Sequence, residues 1–257
     1  MPIPSGLSVQ DICKSFPGVQ ALQNITFDVP AGTVHALCGE NGAGKSTLLK
    51  VLAGVHAATS GVITIDGKPH VPQSPADALR SGIGVIYQEL HLVDELSVAE
   101  NLFLGALPSK SGIVDKAKLI ADTTAALARI QLDVRPDTRL GDLSLAQRQM
   151  VEIAKALVRD ARVVAFDEPT SSLSAREADT LFDRIAELRA AGKVVLYVSH
   201  RMDEIKRICD GATVFRDGRH VVTYSSLDDV SIDQLVKDMV GRDIADIYGY
   251  TPREAGD

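Results

Sequence analysis

Long apolar runs are missing from this chain of 257 residues. The longest uninterrupted run, Val194 to Val198, has five residues, whereas a helix needs about 20 to cross a bilayer. The N-terminal segment MPIPSGLSVQ also lacks the basic start and the apolar stretch of a secretory signal. We therefore expect that the chain does not span a membrane itself and that it stays in the cytoplasm, where it is made.

Cysteine and excess basic charge are scarce as well. The three cysteines, Cys13, Cys38 and Cys209, are scattered and lack the paired spacing of zinc or redox sites, so we expect them to be reduced and mostly buried. The 27 Lys and Arg residues are outnumbered by 34 Asp and Glu residues, which gives a formal net charge of −7. Because nonspecific nucleic-acid binding depends on basic side chains, we expect no nucleic-acid partner.

What the chain has is enough apolar sequence for one substantial globular domain, with 45% hydrophobic and 24% charged residues. The first 70 residues predict short strands and one helix, and the helix should end at Gly54. From Leu90 to Asp160 the pattern is mainly helical. The predicted strands are Ser8 to Phe16, Ile25 to Val29, Val34 to Cys38 and Val62 to Asp66.

Two later segments, RVVAFDE and KVVLYVSH, are apolar without alternation, which is typical of strands covered on both faces in a parallel sheet. The helix predicted between them, Ala175 to Ala190, completes a right-handed β-α-β crossover. Three capping boxes, in which a Ser and a Glu or Gln satisfy each other's backbone donors, are predicted at Ser97 to Glu100, Ser144 to Gln147 and Ser174 to Glu177.

A glycine-rich segment, GENGAGKS, follows the predicted strand Val34 to Cys38 and opens the first helix. It matches the P-loop pattern G-x-x-x-x-G-K-[ST], in which backbone N–H groups surround phosphate oxygens. The Lys reaches the β- and γ-phosphates, and the Ser supplies a hydroxyl to Mg²⁺. The candidate ATP-binding residues of this segment are Gly39, Glu40, Asn41, Gly42, Ala43, Gly44, Lys45, Ser46 and Thr47.

An acidic pair ends the predicted strand of RVVAFDE. Asp167 is positioned to hold Mg²⁺ directly or through water, and Glu168 to polarise the water that attacks the γ-phosphate. Such a pair is often only a solvated turn. Together with the P-loop, however, it predicts the catalytic centre of a nucleotide hydrolase.

Three further elements separate the classes of P-loop protein. The segment LSLAQ, Leu143 to Gln147, precedes the acidic pair by one short helix, while Gln88 and His200 each follow a predicted strand. In this order the five elements resemble the ATP-binding cassettes of ABC transporters. The resemblance implies catalytic roles for Glu168, Gln88 and His200. It also implies metal ligation by Ser46, Gln88 and Asp167, and contact with a partner's ATP by the signature residues Ser144, Leu145, Ala146 and Gln147.

The fold that this resemblance implies is α/β. A P-loop NTPase core of the RecA-like type would carry an N-terminal antiparallel β subdomain and an inserted helical subdomain. The nucleotide-binding domain should cover residues 7–241, with the helical part at about 90–160. Residues 242–257 should be the start of a linker or tail.

Several segments narrow the resemblance to the monosaccharide-import ATPases, namely KSFPGVQAL, YQELHLVDELSVAENLFLG, QRQMVEIAKAL, SHRMDEI and MVGR. Those proteins carry two cassettes in one polypeptide, and this sequence resembles the N-terminal one. The implied cofactors are ATP and Mg²⁺. The implied partners are a second cassette, transmembrane permease subunits at the cytoplasmic face of the inner membrane and, indirectly, a periplasmic sugar-binding protein.

Two roles stay open at this point. Phe16 either stacks on adenine, as the resemblance implies, or is a core residue. Leu90, Leu92 and Val93 either line a groove for the membrane partners, near Gln88 and the 89–101 segment, or pack in the helical subdomain.

The sequence also departs from the family pattern. LSLAQ lacks the double glycine of the usual LSGGQ, and Ser174 stands where the D-loop usually has Asp. Both departures concern the half of the cassette that serves a partner's nucleotide, which implies two unequal ATP sites.

Two rival classes fit less well. A soluble ABC-type ATPase of DNA repair would have a long coiled coil between Lys45 and Ser144, and no sustained heptads occur there. The acidic balance argues against such a role and against ribosome binding. A small GTPase or nucleotide kinase would leave LSLAQ unexplained, and a GTPase would need an Asn-Lys-x-Asp motif, which is absent.

Overall fold

A ten-stranded mixed sheet organises the computed structural model, which describes residues 5–110 and 112–241. The strands are β1 (Gly6–Phe16), β2 (Val19–Pro30), β3 (Thr33–Cys38), β4 (Ser60–Ile65), β5 (Lys68–Pro69), β6 (Ile83–Ile86), β7 (Ser109–Lys110), β8 (Ile113–Val114), β9 (Val163–Asp167), β10 (Val194–Val198), β11 (Gly211–Arg216) and β12 (Arg219–Tyr224). The large sheet has the order β5-β4-β1-β2-β12-β11-β3-β10-β9-β6, and β7 and β8 form a separate hairpin.

The helices flank this sheet and fill the interval between β6 and β9. They are α1 (Lys45–Leu52), α2 (Pro75–Arg80), α3 (Val98–Leu102), α4 (Lys116–Arg129), α5 (Leu145–Val158), α6 (Ala175–Ala190), α7 (Met202–Ile208) and α8 (Ile232–Val240). No helix among the described residues is long and apolar enough to cross a membrane.

The N-terminal strands form an antiparallel unit in which β1 pairs with both β2 and β4. The predicted start of the second strand, Ile25, is wrong, because β2 begins at Val19. The β1–β2 register shifts near Ile12 and Lys14, and such bulges interrupt the alternation from which a strand is recognised.

Five neighbouring strands, β11, β3, β10, β9 and β6, run parallel to one another. Every residue of β9 and of β10 is buried, as predicted for strands covered on both faces. Successive residues face opposite cores: Val163 packs with the cluster around α1, and Val164 packs with the cluster around α5 and α6. This double burial fixes the strands whose ends form the site.

The segment between β6 and β9 contains α3, α4 and α5, with the β7–β8 hairpin and loops between them, so it is less helical than predicted. All three predicted capping boxes are present, at the starts of α3, α5 and α6. The predicted helix Ala175 to Ala190 is confirmed, and Gly192, with φ of 75°, is the left-handed residue that follows its end.

The sequence prediction did not contain β11, β12 and α8. These elements bury a third apolar cluster, which includes Ile205, Leu235 and Met239. The proposed limits 7–241 and about 90–160 stay predictions, and the proposed tail 242–257 lies outside the described residues.

Candidate nucleotide-binding site

The site lies where the parallel strands end. Val198 of β10 is in register with Leu37 of β3 and with Asp167 of β9, and Ile86 of β6 pairs with Phe166. Because parallel strands end at one edge of a sheet, the segments that follow β3, β6, β9 and β10 meet there. Those segments carry the P-loop, Gln88, the acidic pair and His200, so the fold brings these predicted elements to one edge.

Glycine geometry shapes the loop after β3. Gly44 lies before the first residue of α1 with φ of 105°, in the left-handed region that L side chains rarely adopt. A Cβ atom built on Gly44 would be 2.8 Å from Leu22 Cδ2 and 3.0 Å from the Ala21 carbonyl oxygen. Backbone conformation and crowding therefore both require glycine here, and α1 begins with its N–H groups directed to this loop.

The Lys45 side chain lies within the loop and is largely buried, with 9% of the residue exposed. Its Nζ donates to the carbonyl oxygens of Gly39 at 2.7 Å and of Glu40 at 3.0 Å. Burial lowers the pKa of the Lys45 ammonium, and the nearby carboxylates of Glu168 and Asp167 oppose that shift. The structure thus places one cation beside two carboxylates at the mouth of the P-loop.

Asp167, Ser46 and Gln88 present oxygen donors to the same space. Asp167 is 6% exposed, and burial raises the pKa of its carboxyl group, whereas a hydrogen bond with Ser46 lowers it. A hydroxyl, a carboxylate and an amide oxygen are hard ligands of the type that Mg²⁺ prefers. The residues present therefore fit the predicted metal.

Glu168 and His200 form a pair at the rim. Glu168 has φ of 49°, which is uncommon for a residue other than glycine, and its N–H donates to the Val198 carbonyl oxygen at 2.9 Å. His200 Nδ1 lies 3.4 Å from Glu168 Oε2, and the two side chains are 68% and 17% exposed respectively. The Glu168 backbone is thus fixed to the end of β10, while its carboxylate lies beside the His200 ring and keeps some exposure to solvent.

A cavity of about 310 Å³ unites most of these groups. It is lined by Asn41, Gly42, Ala43, Gly44, Lys45, Ser46, Thr47, Gln88, Asp167 and Glu168. A polar hollow with a backbone rich in N–H groups, one ammonium and oxygen donors for a cation is suited to a nucleotide's phosphate groups.

The four signature residues lie at the start of α5, and the residues that line this cavity come from other segments. Ser144 caps the helix: its hydroxyl accepts from the Gln147 N–H, and its own N–H donates to Gln147 Oε1. Leu145 is 62% exposed. This helix start therefore faces outward, as a surface for a partner's nucleotide would.

Phe16 ends β1 and is 36% exposed, which does not agree with the alternative of a core residue. Its ring lies 5.2 Å from the His56 ring, edge to face, and the Lys14 ammonium lies 4.8 Å from its centroid. An exposed ring is available for stacking, and its contact with adenine stays a prediction.

A second, more apolar cavity of about 260 Å³ lies between the sheet and the helical segment. Tyr87 and His91 line it, together with Lys155 and Glu152 of α5. Burial lowers the pKa of Lys155 and raises that of Glu152, and Lys155 Nζ donates to the His91 carbonyl oxygen at 2.8 Å. Lys155 was not among the predicted site residues, because nothing in the segment QRQMVEIAKAL indicates that this lysine is buried beside a cavity.

The three apolar residues considered for a groove facing the membrane partners are not among the residues that line this cavity, and they do not share one environment. Leu92 packs against the core of the helical segment, whereas Val93 is 37% exposed. Leu90 is half-buried. Core packing is therefore the better description for Leu92.

The phosphate cavity, the acidic pair at a strand end and the outward-facing signature helix together define a nucleotide-binding cassette of the P-loop class. A model of the ABC transporter family matches residues 22–171. The chain belongs to the ABC transporter family, as one of its ATP-binding cassettes, and it binds ATP.

The chain is also similar to curated relatives. It is 56% identical over 251 residues to the arabinose import ATP-binding protein AraG of Shigella sonnei, which covers 98% of the chain and 50% of the relative. The identity to AraG 2 of Burkholderia thailandensis is 55%, over 98% of the chain and 48% of the relative. The chain thus spans about half the length of the curated relatives it matches.

Solved structures give the same fold. A nucleotide-free ATP-binding cassette from an ABC transporter superposes with a TM-score of 0.77 at 26% identity, over 92% of this chain and 95% of that one. Another cassette, solved in its ADP conformation, gives a TM-score of 0.77 at 27% identity, over 92% and 99%.

Proposed function

We propose that this chain binds and hydrolyses ATP to energise an ABC importer for a monosaccharide, with arabinose as the first candidate. One observation supports this function most directly: a single cavity contains the P-loop, Gln88, Asp167 and Glu168, and His200 lies 3.4 Å from Glu168. The sugar is suggested by the relatives, which are arabinose import ATP-binding proteins.

Within this function, phosphate binding is assigned to the P-loop. Lys45 places its ammonium against β- and γ-phosphate oxygens, and the N–H groups at the start of α1 donate to them. Mg²⁺, when bound, neutralises phosphate charge, and Ser46, Asp167 and Gln88 are the residues that would hold it. The exposed Phe16 ring is the proposed support for adenine.

Hydrolysis is assigned to the rim pair. The Glu168 carboxylate accepts a hydrogen bond from a water molecule and orients that water toward the γ-phosphate. The His200 ring contacts the carboxylate and the γ-phosphate and holds both in position. Because phosphoryl transfer depends mainly on positioning and charge stabilisation, fixing these two side chains is the chief contribution of this part of the chain.

The proposed partners follow from the outward-facing surfaces. The signature helix serves the nucleotide of a second cassette, which in the relatives' arrangement is the other half of one polypeptide. The 260 Å³ groove beside Tyr87 and Lys155 receives a segment of a transmembrane permease. The chain then acts at the cytoplasmic face of the membrane, and a periplasmic sugar-binding protein contributes indirectly.

The test is sugar uptake driven by the full polypeptide that carries this cassette, in cells whose own arabinose import ATPase is deleted. Wild type should restore ATP-dependent uptake of labelled arabinose. Glu168→Gln should bind ATP but lower phosphate release by about 100-fold or more, because the shape is kept and the charge that orients water is lost.

Glu187→Gln is the matched control, since it removes a half-exposed carboxylate on α6. Full phosphate release by Glu168→Gln would move catalysis to another residue. ATP hydrolysis without uptake of any monosaccharide would instead favour a soluble ABC-type ATPase.

A further inference from the structure

A buried carboxylate lies beneath the rim pair. Glu204 belongs to α7, and its side chain is only 2% exposed. It accepts hydrogen bonds from the hydroxyls of Thr170, Tyr197 and Ser199 at 2.8 to 3.0 Å, and its Oε1 forms an ion pair with Arg201 Nη1 at 2.7 Å. A buried charge with this many donors is fully satisfied, so it can act as a rigid fixing point.

These donors come from the segments that carry the rim pair. Thr170 lies two residues after Glu168, and Ser199 and Arg201 lie on either side of His200. The Ser199 hydroxyl also accepts from the Arg201 N–H at 3.0 Å. Both residues adjacent to His200 are therefore bound to Glu204, and so is the segment that follows Glu168.

The same network joins the loop that follows β9 to α7. Thr170 Oγ1 is 2.8 Å from Glu204 Oε1 and 3.0 Å from Oε2, across 34 residues of sequence. The backbones are linked where the β9–β10 pairing ends, at Asp167 and Val198, and by the Glu168 N–H bond to the Val198 carbonyl oxygen. The Thr170–Glu204 contact adds a side-chain connection beyond the strand ends, between the loop of the catalytic acid and the loop of the histidine.

We propose that Glu204 is a positioning residue for ATP hydrolysis, which fixes the Glu168 loop and the His200 loop relative to each other through Thr170, Ser199 and Arg201. The proposal rests on the proposed hydrolytic roles of Glu168 and His200. Glu204 itself lies below the rim and touches the catalytic segments, not the reacting atoms. A shift of about 1 Å between two catalytic groups can lower a rate by about 100-fold, so such a fixing point matters for turnover.

Thr170→Val is the sharpest variant, because it keeps the side-chain volume and removes only the hydroxyl that joins the two loops. Glu204 keeps Tyr197, Ser199 and Arg201 as partners, so we expect the fold to survive. In the full polypeptide with its partners, we expect kcat to fall about tenfold while ATP affinity changes less than about twofold. Glu204→Gln should show the same separation of kcat from affinity, with a larger loss of kcat.

Thr213→Val is the matched control. Its buried hydroxyl also joins side chains of neighbouring strands, at 2.8 Å from His35 and 3.0 Å from Thr223, away from the rim pair. A purely structural role for Glu204 predicts that Thr170→Val and Thr213→Val lower kcat equally at matched losses of melting temperature. That result, or wild-type kcat in both Thr170→Val and Glu204→Gln, overturns the proposal.

A double variant separates this proposal from the proposed function. If Glu204 acts by positioning Glu168, Thr170→Val should add no further loss of kcat in the Glu168→Gln background. An additive loss in that background overturns the positioning role. If Glu168→Gln alone hydrolyses ATP at the wild-type rate, the proposed function fails instead, whatever Thr170→Val does.

Discussion

The two functional halves of this cassette are built differently. The groups facing the chain's own nucleotide are set in the sheet edge, with Lys45 9% and Asp167 6% exposed. The signature half is a single helix start, with Leu145 62% exposed. Buried strand ends can hold several side chains in fixed relation, whereas an exposed helix start can only present itself to a partner. We therefore expect the sheet edge to bind phosphate without help from another chain, and the signature helix to act only together with a partner.

Hydrogen bonding at the start of α5 shows which backbone N–H groups of the signature helix are left for a partner. Ser144 and Gln147 satisfy each other's backbone N–H groups through the capping box. The N–H groups of Leu145 and Ala146 come next in the first turn, where a helix has no internal acceptors for them. These are the donors that a partner's phosphate would meet, and the two side chains beside them restrict the approach.

The largest effect should come from Lys45→Ala, which tests whether the sheet-edge half binds nucleotide by itself. We expect ATP affinity to fall by about 100-fold or more, because phosphate oxygens lose the largely buried ammonium that would pair with them. Titration calorimetry with Mg²⁺ and ATP measures this. Lys50→Ala is the control, since Lys50 is an exposed lysine of the same helix. Equal affinities for Lys45→Ala and wild type would remove the P-loop assignment.

Sequence reasoning succeeded where the signal is local. The capping boxes lie within four residues, and the buried strands β9 and β10 are continuous apolar runs, so both could be predicted. The roles of Gln88, the acidic pair and His200 were inferred from the ABC resemblance, and the structure places the segments that carry them at one edge of the parallel sheet.

Sequence reasoning failed where the signal is tertiary. Glu204 lies in the segment SHRMDEI, but nothing local reveals its contact with Thr170, 34 residues away. The left-handed conformation of Glu168 is likewise imposed by its surroundings, since an ordinary glutamate does not favour it. The groove residue Lys155 reads in sequence as a solvated charge and is found buried against His91.

A smaller effect, on ATP-dependent self-association, should follow from changing the signature LSLAQ toward LSGGQ. We expect the wild-type chain to be a weak ATPase and largely monomeric. In the Glu168→Gln background, the double change Leu145→Gly and Ala146→Gly should strengthen ATP-dependent self-association by about tenfold, because the N–H groups become accessible to a partner's phosphate. Sedimentation velocity across protein concentration, with and without ATP, measures this.

The control for this change is Ile232→Gly with Asp233→Gly. It places two glycines at the start of α8, another Ser-capped helix with an exposed apolar first residue. A tight ATP-dependent dimer of the Glu168→Gln chain with its own LSLAQ would show that the departures from LSGGQ are harmless. The two halves would then be equally competent.

The smallest effect concerns the buried sheet that supports the P-loop half. His35 lies on β3, the strand that enters the P-loop, and burial lowers its pKa from 6.5 to about 4. On acidification the unfolded chain therefore takes up this proton first, so stability is complete above about pH 6.5 and declines as the pH falls toward 4. Between pH 7 and 5.5 the loss from this group should be about 1 kcal/mol in the free energy of unfolding.

Denaturant unfolding at the two pH values should show a smaller pH-dependent loss of stability in His35→Gln than in wild type. His56→Gln is the control, because it changes a half-buried histidine. An unchanged loss in His35→Gln would mean that the strand supporting the P-loop tolerates a buried charge, and it would weaken the contrast between a buried sheet edge and an exposed signature helix.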